Sequence, residues 1–373
     1  MKLPVGFFKF HKNAFINYQL NRWYSLGYAR KEDIIAIGEQ IKSFVDYVRL
    51  FTQAGERALE EGRLTNAATY FRAAEFLIEP TNPAKLPAYD RFIKTFDQAF
   101  AEEKVDRVKI PYANSYLSGL KIDSRKGKSK GTILACGGFD SFIEEFYCMW
   151  AYFAEQGYDV IAFEGPGQGG TLRKYKLPFD HDWEKPTAAV LDFYQIKEAT
   201  LIGVSMGGYW AIRAGAYEKR ITRIVAFPPV YDWLELTNNF NRKLVSVMMK
   251  FPRFMNFSIR LKMLVGTLRH TVNQAMFIID KQEPIEAVRW MLGMNKTHLH
   301  SELITQDVLL MTGEHDAFQP PKLLYKQQEA LVNAQSVTTR IFTKEEHADQ
   351  HCQMGNVDLA LQTIVEWLDD LKK

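Results

Sequence analysis

Hydrophobic residues recur with two different periods along this chain, one in its first third and another in the rest. From residue 1 to about 104 they recur every three or four positions, as in KEDIIAIGEQIKSFVDYVRLF, which begins at Lys31; this is the spacing of one apolar helical stripe. Later, short apolar runs alternate with helical stretches; the runs include TILACGG, YDVIAFEG, ATLIGVS, ITRIVAFPP, DVLLMTG and SVTTRIF. Short β-rich runs separated by helices predict a parallel sheet covered on both faces.

The spacing of these runs predicts how the chain is organised. Two further strands are expected about a turn in VDRVKIPYANSYLSGLKIDS, which brings the sheet to eight, mostly parallel. Residues 230–306 separate the sixth strand from the seventh, whereas connections in such units usually take about 2 to 6 residues around a helix. We therefore expect a helical N-terminal domain at 1–104, a core formed by 105–229 and 307–373, and a helical lid inserted at 230–306.

The composition indicates which kinds of partner and which cellular compartment to expect. The net charge of +3 is small and no run of five like charges occurs, so we expect no nucleic-acid partner. Lysine and proline interrupt the aromatic residues of MKLPVGFFKFHKNAF, and no stretch of the chain approaches 18 consecutive apolar residues. We therefore expect no signal peptide, no membrane span and no membrane partner. Three cysteines, Cys136, Cys148 and Cys352, have no paired spacing, which favours a reducing, cytoplasmic location over a disulfide framework.

The stretch LIGVSMGGYW carries the strongest chemical signal. Gly203 to Gly207 fits the pattern G-x-S-x-G, with a predicted strand before it and a predicted helix after it, and this context places Ser205 on a tight turn as a nucleophile. Such a serine needs an oxyanion hole, which the backbone N–H groups of Met206 and of Phe139, in the loop ILACGGFDSF, are expected to form.

The remaining members of a catalytic triad should follow in the order Ser, Asp, His. Asp316 lies at the end of the strand in VLLMTGEHDAF, where an orienting carboxylate belongs, and EEHADQHCQMGN then supplies both His347 and His351. Both histidines are eligible by position as the base. A metal site would need a third ligand, and no HExxH or clustered acidic motif supplies one.

A glycine-rich loop offers an alternative chemistry. Gly165, Gly167 and Gly170 match G-x-G-x-x-G in number, but Pro166 lies inside the turn and the next predicted helix begins only near Lys185. With no helix N-terminus to receive a pyrophosphate, we expect a rigid active-site loop and no nucleotide or other cofactor.

The motifs taken together resemble one branch of the α/β-hydrolases. GGFDSFIEEFY, GYDVIAFEGPGQGGTLRK, PFDHDWE, GVSMGG, TGEHD and EEHADQHCQMGN are similar to the FrsA-like family, which includes 2,6-dihydroxypseudooxynicotine hydrolases and fungal polyketide-shortening hydrolases. The resemblance implies an α/β-hydrolase fold with a helical N-terminal segment. It also implies that the base lies in the HCQxGN stretch, as His351, whereas the position of His347 is usually glycine in that family.

The resemblance further implies the kind of reaction. Family members cleave esters or carbon–carbon bonds next to a carbonyl, so a small aromatic or acyl substrate is expected. The stretch PPVYDWLEL, just after the sixth strand, offers Glu235 as a candidate for substrate contact. Alternatives are an acylaminoacyl or dipeptidyl peptidase and a noncatalytic binding protein on the same fold. Eight aromatic residues within residues 1–28 should pack on the core, on the lid or on a second subunit, so a homodimer is one candidate assembly.

Overall fold

The computed structural model describes residues 2–371. The first part of the chain is helical, and two of its helices begin where short polar side chains can cap them. Asn13 and Ser43 each accept a hydrogen bond from a backbone N–H group in the first turn that follows, which stabilises those helix starts. The five N-terminal helices are α1 (Ala14–Ser25), α2 (Lys31–Gln40), α3 (Phe44–Glu60), α4 (Leu64–Leu77) and α5 (Lys85–Ala99).

The rest of the chain is built on one eight-stranded sheet. Its strands are β1 (Asp106–Tyr112), β2 (Ser115–Ile122), β3 (Thr132–Cys136), β4 (Asp159–Glu164), β5 (Ala199–Val204), β6 (Ile221–Phe227), β7 (Asp307–Gly313) and β8 (Ser336–Phe342). They are arranged in the order β1-β2-β4-β3-β5-β6-β7-β8. Only the β1–β2 and β2–β4 pairs are antiparallel. The predicted α/β-hydrolase fold with a mostly parallel sheet of eight strands is confirmed.

Helices cover both faces of the sheet, as the alternation of side chains along its strands requires. In β7, Leu309 and Met311 belong to the core shared with the N-terminal helices, whereas Val308 and Leu310 belong to the core on the opposite face. Four helices connect strands β3 to β6: α6 (Tyr147–Glu155), α7 (Gly169–Arg173), α8 (Glu184–Phe193) and α9 (Gly207–Tyr217).

The helical insertion predicted after the sixth strand is present between β6 and β7. Met294 is fully buried there, and Met255, Met263, Met276 and Met291 pack against the same core, so these lid methionines fill the base of the insertion. The exact domain boundaries remain predictions. The insertion contains α10 (Asn239–Met248), α11 (Pro252–Lys262), α12 (Gly266–Ile278), α13 (Pro284–Gly293) and α14 (Lys296–Leu299), and the chain ends with α15 (Pro321–Ala330) and α16 (Val357–Asp370).

No helix within residues 2–371 combines the length and hydrophobicity needed to cross a bilayer. The three cysteines are free thiols, and all three are buried.

A cluster of buried charges joins the N-terminal helices to the core. It contains four cations and three carboxylates, none more than 8% exposed. We call it the ion cluster: Arg22, Arg72, Glu75, Lys85, Asp140, Glu145 and Arg173.

Glu75 of α4 lies at the centre of the ion cluster. Its carboxylate is paired with Arg72, with Lys85 Nζ at 3.1 Å and with Arg173 at 2.9 Å. Burial disfavours the charged form of Glu75, but the surrounding cations, led by Arg173, lower its pKa to about 2. The carboxylate therefore stays ionised inside the protein, where its removal would leave three cations without their shared partner.

We expect Glu75→Gln to lower the free energy of unfolding by about 3–5 kcal/mol, because it uncovers buried positive charge. Denaturant unfolding followed by circular dichroism would measure the loss. Glu56→Gln provides a matched control, since Glu56 pairs with Arg91 on the surface and both side chains are at least 40% exposed; exposed pairs contribute only about 0–1 kcal/mol. Equally small losses of unfolding free energy in the two variants would contradict the expected contribution of the ion cluster to stability.

Candidate active site

Ser205 lies on the sharp turn between β5 and α9. Its φ of +59° is in the left-handed region, which costs energy for a residue with a side chain and persists only where the surroundings hold it. A Cβ atom on Gly203 would collide with the carbonyl of Gly207, so the turn closes only with glycine there. Because the turn lifts Ser205 above the ends of the strands, its side chain is partly accessible.

Three of the predicted residues are connected by hydrogen bonds. Ser205 Oγ lies 2.9 Å from His351 Nε2, and His351 Nδ1 lies 2.7 Å from Asp316 Oδ2. The other carboxylate oxygen, Oδ1, accepts hydrogen bonds from the backbone N–H groups of Phe318 and Gln319 at 2.8 and 2.7 Å. An ionised Asp316 can only accept, so it selects the tautomer with the proton on Nδ1 and leaves Nε2 free to accept from Ser205.

Two features of the surroundings of His351 shift its pKa in opposite directions. Burial alone lowers the pKa of the imidazole, but the adjacent Asp316 carboxylate, with a smaller contribution from Cys352, raises it above the usual value for histidine. The geometry explains the direction, because Asp316 forms a short hydrogen bond to the ring and stabilises its protonated form.

The loop after β3 lies directly against Ser205. A Cβ atom on Gly138 would stand 2.7 Å from Ser205 Cβ and 2.9 Å from Met206 N, so glycine is what allows this approach. The Gly138 carbonyl accepts from Gln168 Nε2 at 3.0 Å and from Ser141 Oγ at 3.2 Å. The C=O and N–H groups of a trans peptide point in opposite directions. Because Gln168 binds the C=O group of the Gly138–Phe139 peptide, the N–H group of Phe139 points away from Gln168.

Gln168 holds more than one carbonyl of this loop. Its Nε2 also donates to the Gly137 carbonyl at 2.8 Å, while its Oε1 accepts from Gly165 N at 2.9 Å. The side chain is almost wholly buried. The sequence predicted only a rigid loop here, and the one signal for Gln168 was a polar residue within a run of glycines.

A second glutamine, also missed by the sequence reasoning, contacts the other predicted oxyanion donor. In the amide orientation that satisfies both of its ends, Gln319 accepts a hydrogen bond from Met206 N at 3.2 Å and donates to the Pro228 carbonyl at 3.1 Å. In that orientation the Met206 N–H donates to a neutral amide oxygen, with which a developing oxyanion would compete.

The ion cluster extends to the same loop. Asp140, which follows Phe139, has a φ of +50°; its backbone carbonyl accepts from Arg72 at 2.6 Å, and its carboxylate accepts from Arg173 at 2.9 Å. The strained backbone next to Phe139 is thus held by an arginine from α4 and another from α7.

Aromatic side chains from separate elements border the site. Tyr18 of α1 donates from its hydroxyl to the His351 carbonyl at 3.2 Å, and its ring lies 5.1 Å from that of Phe318. From the lid, Trp290 of α13 lies 6.0 Å from Phe139, centroid to centroid. Both the N-terminal helices and the lid therefore contribute to the surroundings of Ser205.

The other two predicted side chains, His347 and Glu235, do not take part in the hydrogen bonds that connect Ser205, His351 and Asp316. His347 is exposed with a φ of +57°, a conformation that glycine adopts most easily, which agrees with the glycine usual at this position in the family it resembles. Glu235 lies in the 3-10 turn Trp233–Leu236 and is paired with Arg242 at 2.7 Å and with Lys296 at 3.6 Å. Within residues 2–371, no group of three or more histidine, cysteine or acidic side chains is placed to hold a metal ion.

One expectation about the glycine-rich loop was wrong. A helix does begin inside it, since α7 starts at Gly169, where the sequence showed no helix before Lys185. Its N-terminus is filled from within the chain, because the Glu164 carboxyl group accepts from Gly170 N at 2.6 Å. A pyrophosphate would have to displace this carboxyl group from the N–H groups that dinucleotide sites use.

Comparison with known proteins identifies a family and several relatives of this chain. A family model described as Hydrolase_4, serine aminopeptidase S33, matches residues 127–348. An alpha/beta hydrolase, ucsC, from Acremonium sp is 33% identical over 250 residues, which cover 58% of this chain and 48% of that protein. The 20-hydroxy-prefusarin hydrolase FUS2 of Gibberella moniliformis is 35% identical over 193 residues, 46% of each chain. The chain spans about half the length of the curated relatives it matches.

Two solved structures share the fold over nearly the full chain. The structure of a 2,6-dihydroxy-pseudo-oxynicotine hydrolase matches with a TM-score of 0.64 and 16% identity, covering 94% of this chain and 95% of that one. AbyA5 matches with a TM-score of 0.69 and 17% identity, covering 91% of this chain and 90% of that one. Both matches include the helical N-terminal part as well as the sheet.

The geometry predicts how the reactivity of Ser205 depends on pH. Protonated His351 cannot accept the serine proton, so covalent labelling by a fluorophosphonate should be fast above the His351 pKa and lost as the pH falls through it. Because Asp316 raises that pKa, the midpoint should lie above the ordinary value of about 6.5. Asp316→Asn should slow labelling and shift the midpoint downward, as measured by labelling rates across pH. A midpoint that does not move in Asp316→Asn would contradict this coupling.

Proposed function

Because the chain belongs to the Hydrolase_4 family of α/β-hydrolases, described as serine aminopeptidase S33, we propose that it is a serine hydrolase in which Ser205, His351 and Asp316 form the catalytic triad. The observation that carries the proposal is the continuous pair of hydrogen bonds from Ser205 Oγ through the imidazole to Asp316, at 2.9 and 2.7 Å. A nucleophile, a base and an orienting carboxylate in this geometry perform acyl transfer on several unrelated folds.

In the proposed reaction, Ser205 Oγ attacks the substrate carbonyl carbon while His351 Nε2 takes the hydroxyl proton. The carbonyl oxygen becomes an oxyanion, which accepts hydrogen bonds from the N–H groups of Phe139 and Met206. For Met206, the oxyanion replaces or shares the bond now made to Gln319. When the intermediate collapses, His351 returns its proton to the leaving group, and water then releases the acyl group from Ser205 by the same steps.

The proposed substrate is a small aromatic or acyl compound, cleaved at an ester or at a carbon–carbon bond next to a carbonyl. The aromatic residues that border the site support this class: Tyr18, Phe139, Trp290 and Phe318. The names of two similar proteins, a 20-hydroxy-prefusarin hydrolase and a 2,6-dihydroxy-pseudo-oxynicotine hydrolase, are in keeping with it.

The leaving group separates the two reactions. An ester releases an alkoxide that His351 can protonate, whereas a carbon–carbon cleavage releases a carbanion that needs an electron sink in the substrate. Glu235 remains the candidate for contact with such a substrate. Its carboxylate now neutralises Arg242 and Lys296, so a substrate would have to compete with two lid cations for it.

The family description also suggests a peptidase as a second candidate. An aminopeptidase must bind the positively charged N-terminus of its substrate, and carboxylates normally do this. Glu235, the carboxylate proposed for substrate contact, is already paired with Arg242 and Lys296, which favours the ester or carbon–carbon reaction over the peptidase. A noncatalytic binding protein on this fold has no need of a connected triad.

Substitution of the triad tests the proposal. We expect Ser205→Ala and His351→Ala each to lower kcat for p-nitrophenyl ester hydrolysis by about 10³-fold or more, since either loss disables the same proton transfer. His347→Ala is the matched control, and it should retain most activity because that side chain is exposed. A chelator should change none of these rates. Turnover of an aminoacyl p-nitroanilide in place of esters would instead favour the peptidase.

Gln168 should affect the rate through the orientation of the Gly138–Phe139 peptide. We expect Gln168→Ala to lower kcat by about 10- to 100-fold with KM changed by less than about twofold, because a misplaced oxyanion donor weakens only the transition state. Gln306→Ala is the matched control: Gln306 is also buried and donates to two backbone carbonyls, those of Gly215 and Ile221, at 2.8 and 3.1 Å. A similar loss of kcat in both variants would show that Gln168 acts only by stabilising the fold.

A further inference from the structure

Two lid helices are largely exposed, although α11 packs Met255 and Ile259 inward. No residue of α10 is buried, and in α11 only Ile259 is. A helix in a folded domain normally packs an apolar stripe against its neighbours, yet here the apolar stripes face outward. The stripes repeat every three or four positions, and their side chains are between 45% and 74% exposed: Phe240, Leu244 and Val247 on α10, and Phe254, Phe257 and Leu261 on α11.

The charge of this segment has a single sign. Residues 236–279 contain seven lysines and arginines and no aspartate or glutamate, although the whole chain carries 47 basic and 44 acidic residues. Lys243, Lys250, Arg253 and Lys262 are exposed and form no ion pair with any residue in the range 2–371. The exposed stripes are therefore accompanied by cations that the rest of the described chain does not neutralise.

These two properties together limit what can cover the face. A second copy of the chain bound through the same face would bring two segments of the same positive charge together, because a two-fold interface is self-complementary. An occupant that is both apolar and negatively charged satisfies both properties. The interface of an anionic bilayer has this chemistry, with acyl chains for the aromatic side chains and headgroups for the cations.

We propose that α10 and α11 form a membrane-docking face that binds the surface of anionic lipid bilayers. We call the exposed residues of 240–264 the lid face. Binding at a surface is compatible with the expectation that the chain has no membrane-spanning segment, because an amphipathic helix that lies in the interface needs no long apolar run. The expectation of no membrane partner rested on span length alone, a criterion that does not register such helices.

Co-sedimentation with vesicles tests the proposal. The full chain should bind vesicles of phosphatidylcholine mixed with phosphatidylglycerol, bind vesicles of phosphatidylcholine alone much more weakly, and lose affinity as salt is raised. The variant Lys243→Glu/Lys250→Glu/Arg253→Glu should bind the anionic vesicles about 100-fold more weakly. Phe254→Ser/Phe257→Ser should bind at least about tenfold more weakly, since it removes two exposed aromatic rings.

Matched controls separate the lid face from exposed apolar residues in general. Val45 and Val332 are 76% and 71% exposed outside the lid, so Val45→Ser/Val332→Ser should bind vesicles like the unmodified protein. Fluorophosphonate labelling of Ser205 should be unchanged in every variant, which shows that each has folded. Absence of binding to anionic vesicles would overturn the proposal. So would a dimer, detected by sedimentation velocity, that the Phe254→Ser/Phe257→Ser variant abolishes, since the face would then be occupied by a second copy.

Discussion

The position of Asp140 between two buried arginines is the constraint on which the rest of the site depends. Arg72 comes from the N-terminal helices and Arg173 from the short helix after β4, and both bind this one residue of the loop beside Ser205. Neither arginine can leave without exposing the other charges of the ion cluster to an apolar interior. The N-terminal helices are thereby coupled to the conformation of the loop that carries Phe139.

Strained backbone occurs in three of the loops that contribute to the site. Ser205, Asp140 and Cys352, the neighbour of His351, all have φ between +50° and +59°. Such conformations cost about 1–3 kcal/mol each and require compensation from surrounding contacts. The ion cluster holds Asp140, and Tyr18 hydrogen-bonds the His351 carbonyl next to Cys352. Ser205 N donates to the Phe227 carbonyl at 2.7 Å. Tertiary contacts thus hold three loops in backbone conformations that would be unfavourable in the isolated chain.

The lid combines two surfaces with different roles. Its inner side, which includes Trp290 and Met294, is packed into the core on one face of the sheet, whereas α10 and α11 turn their apolar residues outward. If the lid face binds a bilayer as proposed, the insertion whose Trp290 contacts Phe139 would also be the part of the protein that contacts the membrane. This arrangement suits a hydrophobic substrate, which partitions into bilayers more readily than it dissolves in water.

The sequence alone determined the features that depend on local spacing. The alternation of apolar residues predicted the sheet, the pattern around Ser205 predicted the turn, and the chain order of Ser205, Asp316 and His351 followed from where each strand ends, although the choice of His351 over His347 relied on a family resemblance. Only the tertiary structure could reveal contacts between residues far apart in the chain. Arg22 and Glu145 are separated by 123 positions, Gln168 reaches carbonyls about 30 positions away, and Gln319 reaches Met206 from the loop after β7. Periodicity identifies which side of a helix is apolar, but whether that side is buried or exposed depends on what packs against it, as α10 and α11 demonstrate.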